Sequence, residues 1–273
     1  MLNTLEMSQE QAARVSAYAT ALRLAIPGVH LPGRLPAHFT FDFLADAVRH
    51  VLDELGHQRV SIHGISYGGN IAYHFAARYP DAVERLLLTG TAGPGGLALY
   101  DPALWESLAL RWRTSPREEF AEEMTALLTG TDWGLAAEAL QPMRRMVQIW
   151  ARRLTEDSMQ LGIDCGLRME SLTTATVPVP ALAVTGEHDA WTPPEACRQL
   201  VSAWPDARFT TIRQSDHFVP MTRPAEHADL ARRFFLGKLD DMDEQEETVG
   251  DFSYCTAWER FQHSTSWQSR SPV

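Results

Sequence analysis

Cysteine is scarce in this chain of 273 residues, which argues against a fold held together by disulfides. The three cysteines, Cys165, Cys197 and Cys255, are scattered along the sequence, and none has a neighbour at metal-site spacing. We therefore expect reduced thiols and a cytoplasmic protein.

Long apolar runs and an excess of basic residues are also missing. No segment approaches the roughly 18 uncharged apolar residues that cross a bilayer, and Glu6, Glu10 and Arg14 stand where a signal peptide needs an apolar core. The formal net charge of −11 provides no basic patch for a phosphate backbone. We expect a soluble, non-exported protein without a membrane span and without a nucleic-acid partner.

Strand-like and helix-like patterns alternate in the first part of the chain. Residues 8–21 have a helical pattern, the apolar run 22–26 predicts a strand, and the Pro/Gly-rich stretch 27–36 predicts a loop. A second helix is predicted over 41–55, where apolar residues recur every three or four positions before Gly56.

Further along, residues 59–63 and 84–89 resemble buried strands that flank a helix over 68–78. Such alternation is typical of a parallel sheet with crossover helices. The strand signal then disappears over 93–176, where Trp- and Met-containing helical patterns follow one another. We interpret this stretch as a helical cap inserted into the sheet domain.

The sheet resumes with strand patterns at 180–185 and 208–213 and helices at 195–204 and 225–236. We therefore assign residues 1–92 and 177–238 to an α/β core, residues 93–176 to the cap and residues 239–273 to an acidic, then aromatic, tail. A dense run of acids usually forms a solvated, mobile link. A role of the tail as an interaction segment stays open.

The candidate nucleophile is Ser66. The segment Gly64-Ile65-Ser66-Tyr67-Gly68 has the pattern G-x-S-x-G directly after a predicted strand and before a predicted helix. A nucleophile elbow needs small residues two before and two after the serine, because its strained turn brings neighbouring backbone close. We expect Gly64 and Gly68 to meet that need. The alternative is a Gly-rich turn in which Ser66 only caps the helix.

A serine hydroxyl needs a base, and the base needs an orienting acid. Asp189 follows the predicted strand 180–185, and His217 follows the strand 208–213. Both therefore lie at the carboxyl edge of the sheet, where open α/β folds build their sites. We predict a catalytic triad of Ser66, Asp189 and His217.

Other residues compete for these roles. Glu187 is an alternative acid, and Asp216 is too near His217 in sequence to be its obvious partner. We expect His63 and His74, which flank the elbow on its strand and helix, to have packing roles. For the oxyanion of acyl transfer, the backbone N–H of Tyr67 is the first candidate donor.

The elbow, the turns that carry Asp189 and His217, and the inserted helices resemble the α/β-hydrolase superfamily over residues 1–238. The resemblance implies a mostly parallel, doubly wound sheet, no cofactor, and two-step chemistry through an acyl-serine. In that superfamily a His-Gly pair usually opens the oxyanion loop, and the matching place here is residues 1–5, which makes Leu5 the second donor. The first two strands of the fold are expected to be missing.

Asn3, Tyr67 and the run 195–199 also resemble a narrower branch, the bacterial 3-hydroxyacyl-ACP acyltransferases. We thus expect a serine hydrolase acting on a small, apolar acyl substrate, free or carrier-linked. An acyltransferase using 3-hydroxyacyl-ACP thioesters and a non-catalytic binding protein of the same fold are the alternatives. Fold analogy alone assigns neither the substrate nor the oligomeric state.

Overall fold

A computed structural model describes residues 9–26, 35–93, 101–129, 137–169, 172–239 and 253–262 of the chain. Its strands are β1 (Val60–Ile65), β2 (Val83–Thr89), β3 (Ala181–Gly186), β4 (Asp206–Ile212) and β5 (Cys255–Gln262). Its α-helices are α1 (Gln9–Val15), α2 (Phe41–Glu54), α3 (Tyr67–Arg78), α4 (Pro102–Thr114), α5 (Arg117–Thr129), α6 (Ala137–Arg152), α7 (Glu156–Met169), α8 (Pro194–Val201), α9 (Val219–Thr222) and α10 (Pro224–Phe235).

The strands form one sheet in the order β1-β2-β3-β4-β5. The first four strands run parallel, with Gly64 beside Leu88 and Val184 beside Thr210, and β5 pairs antiparallel with β4. This arrangement confirms the predicted α/β class with a mostly parallel sheet. The carboxyl ends of β1, β3 and β4 consequently meet at one edge.

Helices cover both faces of the sheet because successive side chains of a strand point to opposite sides. Leu86 and Leu88 of β2 belong to the core shared with α2, α3 and α8, whereas Leu87 between them packs into the core formed with α10. The buried members of both clusters are almost inaccessible, so β2 is apolar on both faces, as expected for a parallel strand inside a sheet.

Helices α4 to α7 lie between β2 and β3 in the sequence and have an apolar core of their own. Trp105, Phe120, Met124 and Met159 are among its buried members. None of the helices within the described ranges is long and apolar enough to span a bilayer. The division into core and cap stays a prediction, and these helices lie within its inserted segment.

The N-terminal part differs from the expectation in two ways. The helix predicted over 8–21 is limited to α1 and is followed by a turn, and the apolar run 22–26 forms neither strand nor helix. Leu24 and Ile26 instead pack against the main core. The strand prediction rested only on the apolar side chains of this run. Such side chains can also pack into the core without any pairing to a neighbouring strand, as they do here. Among the described strands, β1 is an outer strand of the sheet. The expected lack of the first strands of the fold stays a prediction, since residues 1–8 and 27–34 lie outside the described residues.

The C-terminal part requires a correction. Residues 255–262, which we placed in a tail, form strand β5 at the other edge of the sheet. Trp258 and Tyr254 pack against the core that contains α10, and Glu259 forms an ion pair with Arg198 of α8 at 2.8 Å. The acidic stretch 240–247 lies outside the described residues.

Candidate functional site

Ser66 occupies a sharp turn between β1 and α3. Its φ of 52° and ψ of −121° lie in a region that non-glycine residues rarely adopt and that costs about 1–3 kcal/mol. The turn is held by hydrogen bonds from the Ser66 N–H to the Thr89 carbonyl and from the Gly69 N–H to the Ser66 carbonyl, both at 2.8 Å. The backbone of β2 therefore fixes the strained serine.

Two glycines make this turn possible, and one of them was not predicted. A Cβ at Gly64 would lie 2.5 Å from the Gly69 Cα, and a Cβ at Gly69 would lie 1.8 Å from the Thr91 Oγ1. A Cβ at Gly68, by contrast, would meet no atom of the described residues within 4 Å. The expectation of close packing is right for Gly64, but it is wrong for Gly68, because the crowded helical position is one residue later.

These glycines provide a matched pair of variants. Gly69→Ala is expected to lower the free energy of unfolding by about 1–3 kcal/mol, since the methyl group forces Thr91 and the elbow apart. Gly68→Ala is expected to be neutral or slightly stabilising, because alanine favours a helix over glycine by about 1 kcal/mol. Urea unfolding of both variants measures the difference. An equal loss in the two variants would contradict this description of the turn.

The structure brings the three predicted triad residues together. The His217 Nε2 lies 2.9 Å from the Ser66 Oγ, and its Nδ1 lies 3.0 Å from the Asp189 Oδ2. His217 is only 4% exposed and Asp189 2%. The imidazole therefore bridges hydroxyl and carboxylate with one nitrogen for each.

The carboxylate of Asp189 is surrounded by donors. Its Oδ1 accepts the backbone N–H groups of Trp191 at 2.9 Å and Thr192 at 2.8 Å. Its Oδ2 faces His217 and accepts the hydroxyls of Thr192, at 2.5 Å, and Thr185. The two backbone donors fix the rotation of the carboxylate, so Oδ2 points at the imidazole.

These contacts decide the charge of Asp189. Burial alone would favour the neutral acid, but the interaction with His217 and the hydroxyl donors outweighs it and lowers the pKa of Asp189 below its usual value. The carboxylate is thus ionised at neutral pH. It can hold the proton on the Nδ1 of His217, which leaves the Nε2 lone pair for the serine hydroxyl.

Sequence reasoning missed Thr185 and Thr192. The Thr192 Oγ1 also lies 3.2 Å from the His217 Nδ1, so this hydroxyl contacts both members of the pair. Threonine is common in strands and turns, so its identity alone carries little information. The one signal in the sequence was their spacing, since Thr185 lies four residues before Asp189 and Thr192 lies three residues after it.

The competing residues lie in other environments. The Glu187 carboxylate accepts the Gln214 N–H at 3.1 Å, and the Asp216 carboxylate accepts the Phe218 N–H at 2.9 Å, while burial raises the pKa of Asp216. Neither of these contacts involves His217. Glu187 therefore does not occupy the position of the orienting acid.

Three other histidines also have packing environments. The His74 Nδ1 lies 3.0 Å from the Asp42 Oδ1, and the Nε2 atoms of His63 and His227 each lie 3.0 Å from the Thr89 Oγ1. Burial lowers the pKa of His63 to about 4 and that of His227 well below its usual value. Both rings are therefore neutral at pH 7, as suits a core position.

The structure describes one of the two predicted oxyanion donors. Tyr67 is the first residue of α3, and the backbone N–H groups of a first helical turn point towards the start of the helix, where Ser66 lies. Leu5 lies outside the described residues. Both assignments stay predictions.

An apolar wall adjoins the triad. The Trp191 ring lies 4.9 Å from the His217 ring and 5.3 Å from the Phe218 ring, measured between centroids. Both Trp191 and Phe218 pack against the core of the inserted helices, which includes Trp105 and Leu108. The loops that follow β3 and β4 thus join the triad to an apolar layer.

No group of three or more His, Cys, Asp and Glu side chains in the described part of the chain is arranged to hold a metal ion. The polar groups around Ser66 instead form one continuous series of hydrogen bonds from Thr185 to the serine hydroxyl. This arrangement can remove a proton from Ser66 and return it.

Comparison with known proteins places the chain in a wider context. A family model described as alpha/beta hydrolase fold matches residues 24–224. A 2-hydroxy-6-oxononadienedioate/2-hydroxy-6-oxononatrienedioate hydrolase of Paraburkholderia phymatum is 28% identical over 209 residues, covering 72% of this chain and 68% of that protein. A pimeloyl-[acyl-carrier protein] methyl ester esterase of Neisseria meningitidis is 29% identical over 229 residues, covering 79% and 70%.

Solved structures agree on the fold. The enol-lactonase of Burkholderia xenovorans superimposes with a TM-score of 0.68 at 23% identity, covering 86% of this chain and 88% of that one. Identity this low supports the architecture alone.

Proposed function

Because the chain belongs to the α/β-hydrolase fold family, we propose that it is a serine hydrolase that cleaves an ester, thioester or related acyl bond. Ser66 is the nucleophile, His217 the general base and acid, and Asp189 the orienting carboxylate. The observation that carries this proposal is the single imidazole that lies 2.9 Å from the Ser66 Oγ and 3.0 Å from the Asp189 Oδ2.

In acylation, the Ser66 Oγ attacks the acyl carbon while the His217 Nε2 takes the hydroxyl proton. The carbonyl bond pair moves to oxygen and gives a tetrahedral oxyanion. When the oxyanion collapses, the leaving alcohol or thiol departs with the proton from Nε2, and an ester of Ser66 remains. Asp189 stabilises the imidazolium throughout without taking its proton.

In deacylation, water replaces the leaving group. The His217 Nε2 takes a proton from water as its oxygen attacks the acyl-serine, and a second tetrahedral oxyanion forms. Its collapse returns the proton to the Ser66 Oγ and releases the carboxylic acid. In both steps the backbone N–H of Tyr67 is the proposed donor to the oxyanion, with Leu5 as the second.

The proposed substrate is a small, apolar acyl compound. Trp191 and Phe218 join the imidazole to the apolar core of the inserted helices, and this layer suits an acyl chain better than a charged group. The Neisseria relative is named for a methyl ester on an acyl-carrier protein, which supports testing carrier-linked as well as free esters. Most of the buried Trp and Met side chains in these helices have a structural role, because they pack the helices against one another.

Labelling with a fluorophosphonate probe tests the proposal. The wild-type protein is expected to form one covalent adduct, located on Ser66 by mass spectrometry, because only an activated serine reacts at a useful rate. Ser66→Ala is expected to abolish both the adduct and the turnover of p-nitrophenyl acyl esters. Ser61→Ala is the matched control, since Ser61 is an exposed serine on β1, the strand that leads into the turn of Ser66. Undiminished labelling of Ser66→Ala would refute the assignment.

The same assay separates the alternatives. A folded wild-type protein that does not react with the probe would favour a non-catalytic binding protein. For a reactive protein, a panel of ester and thioester chain lengths identifies the preferred acyl group. Incubation with acyl-ACP and an alcohol acceptor then shows whether water or the acceptor receives that group, which distinguishes a hydrolase from an acyltransferase.

A further inference from the structure

Arg168 is a buried cation close to the elbow. It lies in the last turn of α7, one of the inserted helices, and only 1% of it is exposed. Burying a guanidinium is costly unless its N–H groups find acceptors. The buried position of Arg168 therefore depends on acceptors that the protein itself supplies, whereas a surface arginine can be hydrated by water.

The acceptors of Arg168 come from two separate parts of the chain. Its Nε donates to the Phe39 carbonyl at 2.6 Å, and its Nη2 donates to the carbonyls of Leu35 and Pro36 at 2.6 and 3.1 Å. Its Nη1 donates to the Tyr67 Oη at 2.5 Å. One side chain thus ties α7 to the turn before α2 and to the residue after the nucleophile.

Tyr67 is the residue through which this contact reaches the reaction. Its ring is buried and packs against the Phe41 ring with centroids 5.2 Å apart, while Arg168 holds its phenol oxygen. With both the ring and the oxygen fixed, the side chain limits rotation of the peptide that joins Ser66 to Tyr67. The N–H of that peptide is the proposed oxyanion donor.

We propose that Arg168 is a positioning residue that aligns the Tyr67 N–H with the oxyanion and thereby couples the docking of α7 to the reactivity of Ser66. This inference rests on the proposed function. Arg168 is not a substrate-binding residue, because it is almost inaccessible and each of its three guanidinium nitrogens donates to an oxygen of the protein.

The expected effect follows from the value of an oxyanion donor. Removing such a donor lowers kcat by about 10²–10³-fold, so misaligning one is expected to lower kcat by about 10–100-fold. The effect falls on the transition state, so KM is expected to change by no more than about twofold. A change that only loosened the fold would not separate the two constants in this way.

The experiment compares Arg168→Met, Arg168→Lys and Tyr67→Phe with the wild-type protein. Each is assayed for kcat and KM on a p-nitrophenyl ester and for the Ki of a trifluoromethyl ketone, which forms a tetrahedral adduct with the serine. In Arg168→Met we expect kcat to fall and Ki to rise by the same factor, with partial recovery in Arg168→Lys. Tyr67→Phe removes the same contact while leaving the carbonyl contacts of Arg168, so it carries the test if Arg168→Met does not fold.

The double variant and a control complete the design. Arg168→Met combined with Tyr67→Phe is expected to be no slower than the slower single variant, because the hydrogen bond between Arg168 and Tyr67 is already absent from each single variant. Arg113→Met is the control, since its ion pair with Glu156 also involves α7 but is exposed, and it should leave kcat unchanged.

Two results would overturn the inference while leaving the proposed function intact. The first is a reactive wild-type protein whose folded Arg168→Met and Tyr67→Phe variants keep their kcat. The second is a fall in kcat without a matching rise in Ki. A wild-type protein that neither labels nor turns over ester would refute the proposed function and this inference together.

Discussion

Asp189→Asn is expected to lower kcat by about 10⁴-fold while leaving the fold in place. The reason lies in the two backbone N–H groups, from Trp191 and Thr192, that bind the Oδ1 of Asp189. They keep the amide oxygen of an asparagine at that position and direct its NH₂ group at the His217 Nδ1. The imidazole must then accept there, so its proton moves to Nε2 and the base towards Ser66 is lost.

Glu187→Gln is the matched control for that variant. Glu187 was the alternative acid in the sequence, and its carboxylate accepts the Gln214 N–H, a bond that a glutamine oxygen can retain. We expect kcat within about twofold of the wild type and an unchanged pH profile. The measurement is steady-state kinetics on a p-nitrophenyl ester with circular dichroism for the fold. A large loss in Glu187→Gln together with a small loss in Asp189→Asn would reverse the two assignments.

Removal of residues 240–273 is expected to destabilise the protein by about 5 kcal/mol or more, a large part of the 5–15 kcal/mol that usually holds a domain together. The deletion takes away β5 and exposes the hydrogen-bonding edge of β4. It also removes the Tyr254 hydroxyl from Asp229 and the Glu259 carboxylate from Arg198, both at 2.8 Å. Because β4 leads into the loop of His217, activity is expected to fall with stability.

A chain that ends after residue 262 is the control for this deletion, since it keeps β5 and all of its described contacts. Urea unfolding followed by tryptophan fluorescence compares the two shortened chains with the full chain. We expect the longer one to retain the wild-type midpoint and the shorter one to unfold at much lower urea or to aggregate. Equal midpoints for all three chains would show that β5 contributes no stability.

The parts predicted well from the sequence are those with a local signal. The strands around Ser66 and before Asp189 and His217 are confirmed within a few residues, because apolar runs next to glycine or proline leave few alternatives. The predicted burial of the strand before Ser66 is wrong, since most residues of β1 are partly exposed at the edge of the sheet. The sequence analysis grouped Ser66, Asp189 and His217 by their order in the chain and by their position at the carboxyl edge of the sheet. The structure places these three side chains in contact. Their catalytic roles stay a prediction.

The parts missed depend on contacts between distant segments. Strand β5 follows an acidic stretch, and nothing in its own residues shows that the edge of β4 is available. Arg168 and Tyr67 are 101 residues apart, so their hydrogen bond has no sequence signature. The crowding at Gly69 likewise arises from Thr91, on the neighbouring segment after β2. Each case is decided by tertiary packing, which residue patterns do not encode.

The placement of the triad on the sheet has one more consequence. Ser66 follows β1, Asp189 follows β3 and His217 follows β4. The hydrogen bond between serine and imidazole therefore reaches across the ends of two strands, β2 and β3. Neighbouring strands are about 4.8 Å apart, so a small opening of the sheet separates base from nucleophile. The rate of covalent labelling at Ser66 would therefore also measure the native population. We expect it to fall when the sheet opens locally, before global unfolding is visible.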